Sequence, residues 1–410
     1  MRYQLLGLTA VLSLAACAGE PREPRSETDA EPMEVDATDV DGSRLGTVAL
    51  AQSCSATAEG HLERGLALLH SMTYEEAAKG FEAAADVDPD CALGYWGQAM
   101  TIVHPLWSDP PSAEEFQRGA ELLAVAREYA ATDHELGYIE AQAAYFEAGE
   151  TGSERPNLAA LETGWREFHE AYPDDPEGAA FYALAQLANV DPSDKTYAKQ
   201  KEAGALAEQI LARVPDHPGA HHYIIHAYDN PALSAGAVDA ARGYSEVAPE
   251  VPHALHMPTH TFTRLGLWQE SIDWNRRSAD AALKRPVGEQ TSLHYFHALD
   301  YLAYAFLQGA EDGRAVAVLE ELEAVEPPYQ PHLASAYTFA AVPARLTLER
   351  QLWEEAADLE ARSPAQYPWE TEASSESITY FARALGAARS GRFEQARADL
   401  ETLAGLQIRV

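Results

Sequence analysis

Residues 61–90 read HLERGLALLHSMTYEEAAKGFEAAADVDPD, two amphipathic stretches separated by a turn of three or four residues. Apolar residues recur at three- and four-residue intervals through each stretch, the period of a helix with one buried face. Neither stretch has a strand-like alternation, and the pair is too short to enclose a core alone. Such a unit must stack on copies of itself, and this limits the chain to an elongated array of helical hairpins. Across all 410 residues Ala, Leu and Glu recur while Val and Ile are sparse, which favours helices over strands throughout. The predicted fold class is all-α.

Within that segment Gly65, Ala77, Phe81, Ala84 and Pro89 stand at offsets 8, 20, 24, 27 and 32 of a 34-residue unit. The pattern resembles the tetratricopeptide repeat (TPR), in which small residues at 8 and 20 let two helices approach closely and the residue at 24 fills the space between units. GLWQESIDWNRRSADAA sets Ser271 at the offset of Ala77, and SGRFEQARADLETLAGL near the C-terminus repeats the turn and second helix. Turn signals and apolar periods together give an α-solenoid of about nine helical hairpins over residues 47–410, with an excursion near Pro105–Pro111. ALLHSMTYEEA, DPDCALGYWGQAM and HPLW further resemble a group of exported bacterial TPR lipoproteins. That resemblance implies a fold and a habit of binding peptides or protein partners, and no reaction.

The N-terminus reads as an export segment. Arg2 precedes an apolar run from Leu5 to Ala16 that is too short to span a bilayer. Leu14-Ala15-Ala16-Cys17 resembles the lipoprotein lipobox, which implies cleavage before Cys17, lipid attachment to its sulfur, and contact with the membrane through that anchor alone. With Ala18 next, the outer membrane, facing the periplasm, is the expected location. Residues 1–17 are thus expected to be a signal peptide and 18–46 an acidic disordered tether: from Ala18 to Arg44 there are nine acids, three arginines and no aromatic, Leu or Ile. Cys54 and Cys91 remain in the mature chain. An oxidising compartment permits them to pair, and two buried thiols are the alternative.

The balance of 65 acidic against 29 basic residues, a net of -36, disfavours nucleic acid and anionic lipid as partners and suits cations or a basic protein. HELGY at His134 and HEAYP at His169 lack the second histidine of a zinc-protease helix, and neither a Gly-x-Ser-x-Gly elbow nor a phosphate-binding Gly-rich loop is present. No catalytic motif makes a case for an enzyme.

Histidine is the exception to this uninformative picture. Nine of the 15 histidines fall between residues 217 and 297. Setting Ser271 at offset 20 places His253, His256 and His260 at groove-facing offsets 2, 5 and 9. One unit earlier lie His222, His226 and Asp229, and one unit later His294 and His297. The separations 222–256, 226–260 and 260–294 are each 34 residues, so stacked helices carry imidazoles at equivalent places. Neighbouring helices pack about 8–10 Å apart, close enough for imidazoles from two of them to share a metal at about 2.0–2.1 Å. His222, His226, His256, His260, His294, His297 and Asp229 are therefore candidate ligands for a divalent metal such as zinc, copper or nickel. Groove histidines that only hydrogen-bond their neighbours, or that contact a bound peptide, are the competing account. Pro258 raises a further question, because a proline interrupts a helix interior and could turn His253 away. His70 and His104, also 34 apart, and Trp96 complete the candidate groove-lining residues, the histidines as an apolar rim pair and Trp96 as a stacking surface.

Overall fold

The computed structural model describes residues 34–39, 42–107, 109–149 and 154–408. The signal peptide, the lipidation site Cys17 and residues 18–33 of the expected tether lie outside them. The helices pair in chain order: α1 Ala56–His70 with α2 Tyr74–Val87, α3 Ala92–Met100 with α4 Ala113–Tyr129, α5 Asp133–Glu147 with α6 Arg155–Ala171. α7 Pro176–Ala188 then pairs with α8 Ala198–Arg213, and α9 Pro218–Ala227 with α10 Val238–Val247. α11 Pro252–His256 and α12 Pro258–Leu265 act together as the partner of α13 Trp268–Leu283. α14 Leu293–Gln308 pairs with α15 Asp312–Glu323, α16 Leu333–Glu349 with the short α17 Trp353–Ala357, and α18 Ala373–Arg389 with α19 Phe393–Gln407. Nine hairpins stacked in order make a TPR-like α-solenoid, and no described helix is long and apolar enough to cross a membrane.

The first unit shows how closely the helices approach. Phe81 is fully buried, and a Cβ built on Gly65 would lie 3.0 Å from its ring. On Gly97, in the next hairpin, a Cβ would lie 2.0 Å from the Phe81 Cδ1 atom. Glycine at both places lets one ring fill the space between two hairpins. Cys54 and Cys91 are joined by a disulfide that ties the segment before α1 to the start of α3.

The tether boundary needs correction. Glu34–Thr38 and Arg44–Ala49 form an antiparallel β-hairpin, β1 and β2, with Glu34 paired to Ala49. Ala37, Leu45 and Val48 are buried in the main core. The buried carboxylate of Asp39 meets Arg64 at 2.8 Å and Arg285 at 2.6 Å. Composition averaged over Ala18–Arg44 hides this end of the segment, where the strand that continues past Arg44 buries Leu45 and Val48 and distant arginines neutralise Asp39.

The solenoid closes upon itself. β2 and α1 pack against α9, Thr47 donates to the Asp216 carbonyl at 3.1 Å, and Tyr244 bonds Ser71 at 3.1 Å. Further round, Gln330 reaches Glu75 at 2.6 Å. The space a peptide would occupy is thus filled, around these residues, by the chain's own first hairpin and N-terminal strands.

Phe81 sets the spacing of the first two hairpins, so Gly97→Ala should cost about 1–3 kcal/mol by overpacking. Urea unfolding followed by circular dichroism measures this. An unchanged midpoint would show that the ring does not fix the helix separation.

Candidate metal centre

Three stacked helices bring the histidines together. α9 starts at His217, whose Nδ1 accepts the Ala220 amide at 3.1 Å as an N-cap, with Pro218 in the first turn. From there His222 and His226 lie one turn apart on one face. On the next unit Pro258 breaks the hydrogen-bond ladder, yet Met257 keeps helical angles (φ -54, ψ -38), and α11 runs into α12 as a bend rather than a stop. The Thr259 hydroxyl donates to the His256 carbonyl at 2.7 Å beside the break. His253, His256 and His260 consequently stay on a common face. Ser292 caps α14, accepting the His294 amide at 3.3 Å, and sets His294, His297 and Tyr301 against them.

Two trios result. His222, His226 and His253 form one, and His256, His260 and His297 the other; in each, one nitrogen per ring lies within 4.8 Å of the others. His253 joins the first trio, with its ring 4.9 Å from that of His222, so Pro258 does not turn it away. His294 stands beside His253, rings 5.3 Å apart, outside both trios. The trios adjoin, with 6.4 Å between the His226 and His260 rings and 6.2 Å between those of His253 and His256.

Proton positions follow from the partners. The His222 Nδ1 donates to the His70 carbonyl at 2.6 Å. His256 Nδ1 donates to Asn275 Oδ1 at 2.8 Å, and that amide is oriented by its own Nδ2, which donates to the Ser271 carbonyl at 2.9 Å. His260 Nδ1 donates to Asp229 at 2.9 Å, and Arg264 holds the other carboxylate oxygen at 2.7 Å. A carbonyl, an amide oxygen and a carboxylate can only accept, so all three imidazoles carry a proton on Nδ1 and turn Nε2 toward a neighbour. The Nε2 atoms of His256 and His260 face each other at 3.0 Å. At that distance the two nitrogens must share either a proton or a metal ion. On a metal with ordinary bond lengths, a 3.0 Å separation corresponds to an N–metal–N angle of about 94°.

In the first trio the Nε2 atoms of His222 and His226 are also 3.0 Å apart. Buried His253 has no hydrogen-bond partner at either nitrogen. Leaving a buried polar group unsatisfied costs about 1–3 kcal/mol, and coordination removes that cost. Burial, reinforced by neighbouring imidazoles, pushes His222, His253 and His256 well below their ordinary value and His226, His294 and His297 down to about 3. They are neutral at physiological pH, the state in which an imidazole binds a metal.

Other candidates have different roles. Asp229 orients His260 from behind instead of joining a ligand set, with burial opposed and outweighed by His260 and Arg264 in holding its carboxyl below the usual range. Asp300, one turn along α14 from His297, is paired with Arg345. Trp96 does not line an open groove: it is fully buried against Phe81, Tyr138 and Phe181, and its ring N–H donates to the Tyr138 carbonyl at 3.1 Å. His104 stacks on Tyr74, and its two nitrogens meet Asp109 at 3.0 Å and the Thr101 carbonyl at 3.1 Å. His70 is a core residue rather than a rim residue, because the closed solenoid presses it against α7 and α9.

His70 belongs to a third group, with Glu177 and His217. Glu177 accepts the Ala49 amide at 2.7 Å and the His70 Nε2 at 2.6 Å, and faces His217 Nε2 at 3.3 Å. Tyr223 donates to His70 Nδ1 at 3.0 Å. His70 is held between two hydrogen bonds, while buried His217 Nε2 approaches Glu177 without a hydrogen bond. The group ties β2, α1 and α9 to the start of α7.

Sequence reasoning overlooks Asn275, Tyr301, His332 and Trp107. Tyr301 places its hydroxyl 3.3 Å from His260 Nε2, and Trp107 stands 5.0 Å from the His332 ring and 5.5 Å from that of His253. A signal existed for Asn275: it occupies the offset of Phe81, where the repeat calls for a large apolar residue.

No protein-family model matches the chain, and no curated protein matches it. Among solved structures, human IFIT1, determined as a dimer with PPP-AAAA, is similar at 16% identity and a TM-score of 0.44, over 85% of this chain and 73% of that one. The TPR domain of P58(IPK) is similar at 14% identity and a TM-score of 0.21, over 86% and 99% of the two chains.

The depressed imidazole values make a stability prediction. Folded-state values below the 6.5 of a free imidazole mean that the unfolded chain takes up protons that the folded chain refuses. Stability from this source is complete above pH 6.5 and is lost progressively as pH falls toward 3. The thermal midpoint of metal-free protein should therefore drop between about pH 7 and pH 5, and more steeply than that of a His226→Gln/His297→Gln double variant. Parallel curves would mean that these rings are not held neutral.

Proposed function

We propose that this chain is a metal-binding α-solenoid, holding a divalent transition metal such as zinc, copper or nickel on His256, His260 and His297, with His222, His226 and His253 as an adjoining second set. The observation that carries this reading is the 3.0 Å approach of two Nε2 atoms whose rings are both committed to donating from Nδ1. Second-sphere acceptors that fix the tautomer in this way are characteristic of histidine metal sites. Imidazole suits zinc, copper and nickel alike, and the absence of a thiolate from both trios gives no preference for soft copper(I).

Solenoids of helical hairpins serve as binding scaffolds, and a peptide in the concave groove is the use the repeat first suggests. Here the groove-facing histidines are buried or half-buried around a closed centre, which suits an ion better than a peptide. The outer surface of a chain with net charge -36 is left for a basic protein partner. Export and lipid attachment at Cys17, with the body facing the periplasm, form part of the same proposal. The Cys54–Cys91 disulfide is in keeping with that oxidising compartment.

Elemental analysis of protein purified without chelator or added metal should find transition metal. Calorimetry on stripped protein should show tight uptake that is abolished in a His226→Ala/His260→Ala double variant. Asn275→Ala should weaken uptake on the order of 10–100-fold, because it removes only the acceptor behind His256. Equal, poor binding by wild type and double variant would end the metal reading.

A further inference from the structure

Each trio is arranged in depth. A cavity of about 270 Å³ is lined by His226 and His253 from the first set and by His260 and His297 from the second. The third member of each set, His222 or His256, is not on its wall. Both are fixed from behind, by the His70 carbonyl and by Asn275, as the front ring of His260 is by Asp229. Both sets therefore present two front imidazoles to the same cavity and keep one rear imidazole buried. A metal held by three such rings has its fourth position directed at the cavity, the arrangement of a catalytic rather than a structural site.

The rest of the wall is mostly apolar. Leu106 and Trp107, from the loop after α3, line it together with Met257, Leu293 and Leu333, and His332 and Tyr337 are its remaining polar side chains. A cavity of about 150 Å³ accommodates benzene, so 270 Å³ accommodates an organic molecule of on the order of ten non-hydrogen atoms. Charge sets the chemistry of its head group. Three neutral imidazoles leave the full double charge on a bound dication, and the one carboxylate beside them, Asp229, is already shared between His260 and Arg264. An anionic ligand is what such a centre lacks.

We propose that the cavity is the binding site for a small organic anion, an apolar body with a carboxylate-like head, which takes the open position on the metal. This rests on the metal reading above and adds the ligand class to it. The apolar body lies between Trp107 and the leucines, and the anionic oxygen completes the coordination shell.

Cobalt(II) reports its coordination shell through its visible absorption, and benzoate is a probe of suitable size and charge. Full-length chain loaded with cobalt(II) should show a saturable spectral change on millimolar benzoate. Ala334→Trp, which intrudes on the cavity from its rim, should weaken benzoate at least tenfold while cobalt uptake and the response to the smaller azide anion persist. Leu333→Trp, at a half-exposed rim position, serves as a second variant should the first fold poorly. Cobalt uptake with no spectral response to benzoate overturns the inference and leaves the metal site standing, as does benzoate binding that neither variant weakens. Failure of cobalt to bind removes both.

Discussion

The placement of three protons governs the centre of this molecule. His222, His256 and His260 each commit Nδ1 to an acceptor that can do nothing but accept: a backbone carbonyl, a fixed amide oxygen and a carboxylate. Once those bonds form, the opposite nitrogens are turned toward their neighbours, each 3.0 Å from another imidazole nitrogen. A core made only for stability would avoid such an arrangement, since a hydrophobic replacement would remove these close approaches and the unsatisfied nitrogens of His253 together.

The fold was legible because its information is local and repeated. Gly65, Ala77 and Phe81 announce one hairpin, and the same spacing carried forward aligns Ser271 and then the histidines. Register alone placed His226 over His260, but it matched His222 to His256 and His260 to His294, whereas the structure sets His222 beside His253 and His297 beside His260. What register could not show is closure. The position of His70 depends on a contact more than a hundred residues away, with Glu177, and that of Trp96 on Tyr138 and Phe181 in later hairpins, and no periodicity encodes them. The same holds for the strands at Glu34–Thr38 and Arg44–Ala49, whose burial depends on α9 and Arg285. Pro258 misled in the other direction. A proline inside a helix suggests a change of direction, but the chain absorbs it with one displaced hydrogen bond, and His253 remains in line.

Buried carboxylates do the joining that a solenoid's neighbour-to-neighbour packing leaves undone. Glu177, in the first turn of α7, receives a backbone amide from β2 and an imidazole from α1. Glu135, similarly placed in α5, accepts the Ser53 amide and hydroxyl, both at 2.7 Å. Asp175, the N-cap of α7, takes His134 at 2.8 Å. Each sits where unpaired amides at a helix start favour negative charge, so the cost of burying it is offset locally. The N-terminal segment is thereby fastened to the middle of the chain by charge-assisted bonds rather than by repeat packing.

The acceptor behind His222 is the carbonyl of His70, 152 residues earlier. That acceptor comes into place only where α1 meets α9, so the first trio owes its fixed tautomer to closure of the ring. The second trio does not: Asn275 and Asp229, its acceptors, lie with its ligands inside residues 229–297. On the proposed metal reading, cutting the contact between the first hairpin and α9 would disturb one set of imidazoles and spare the other.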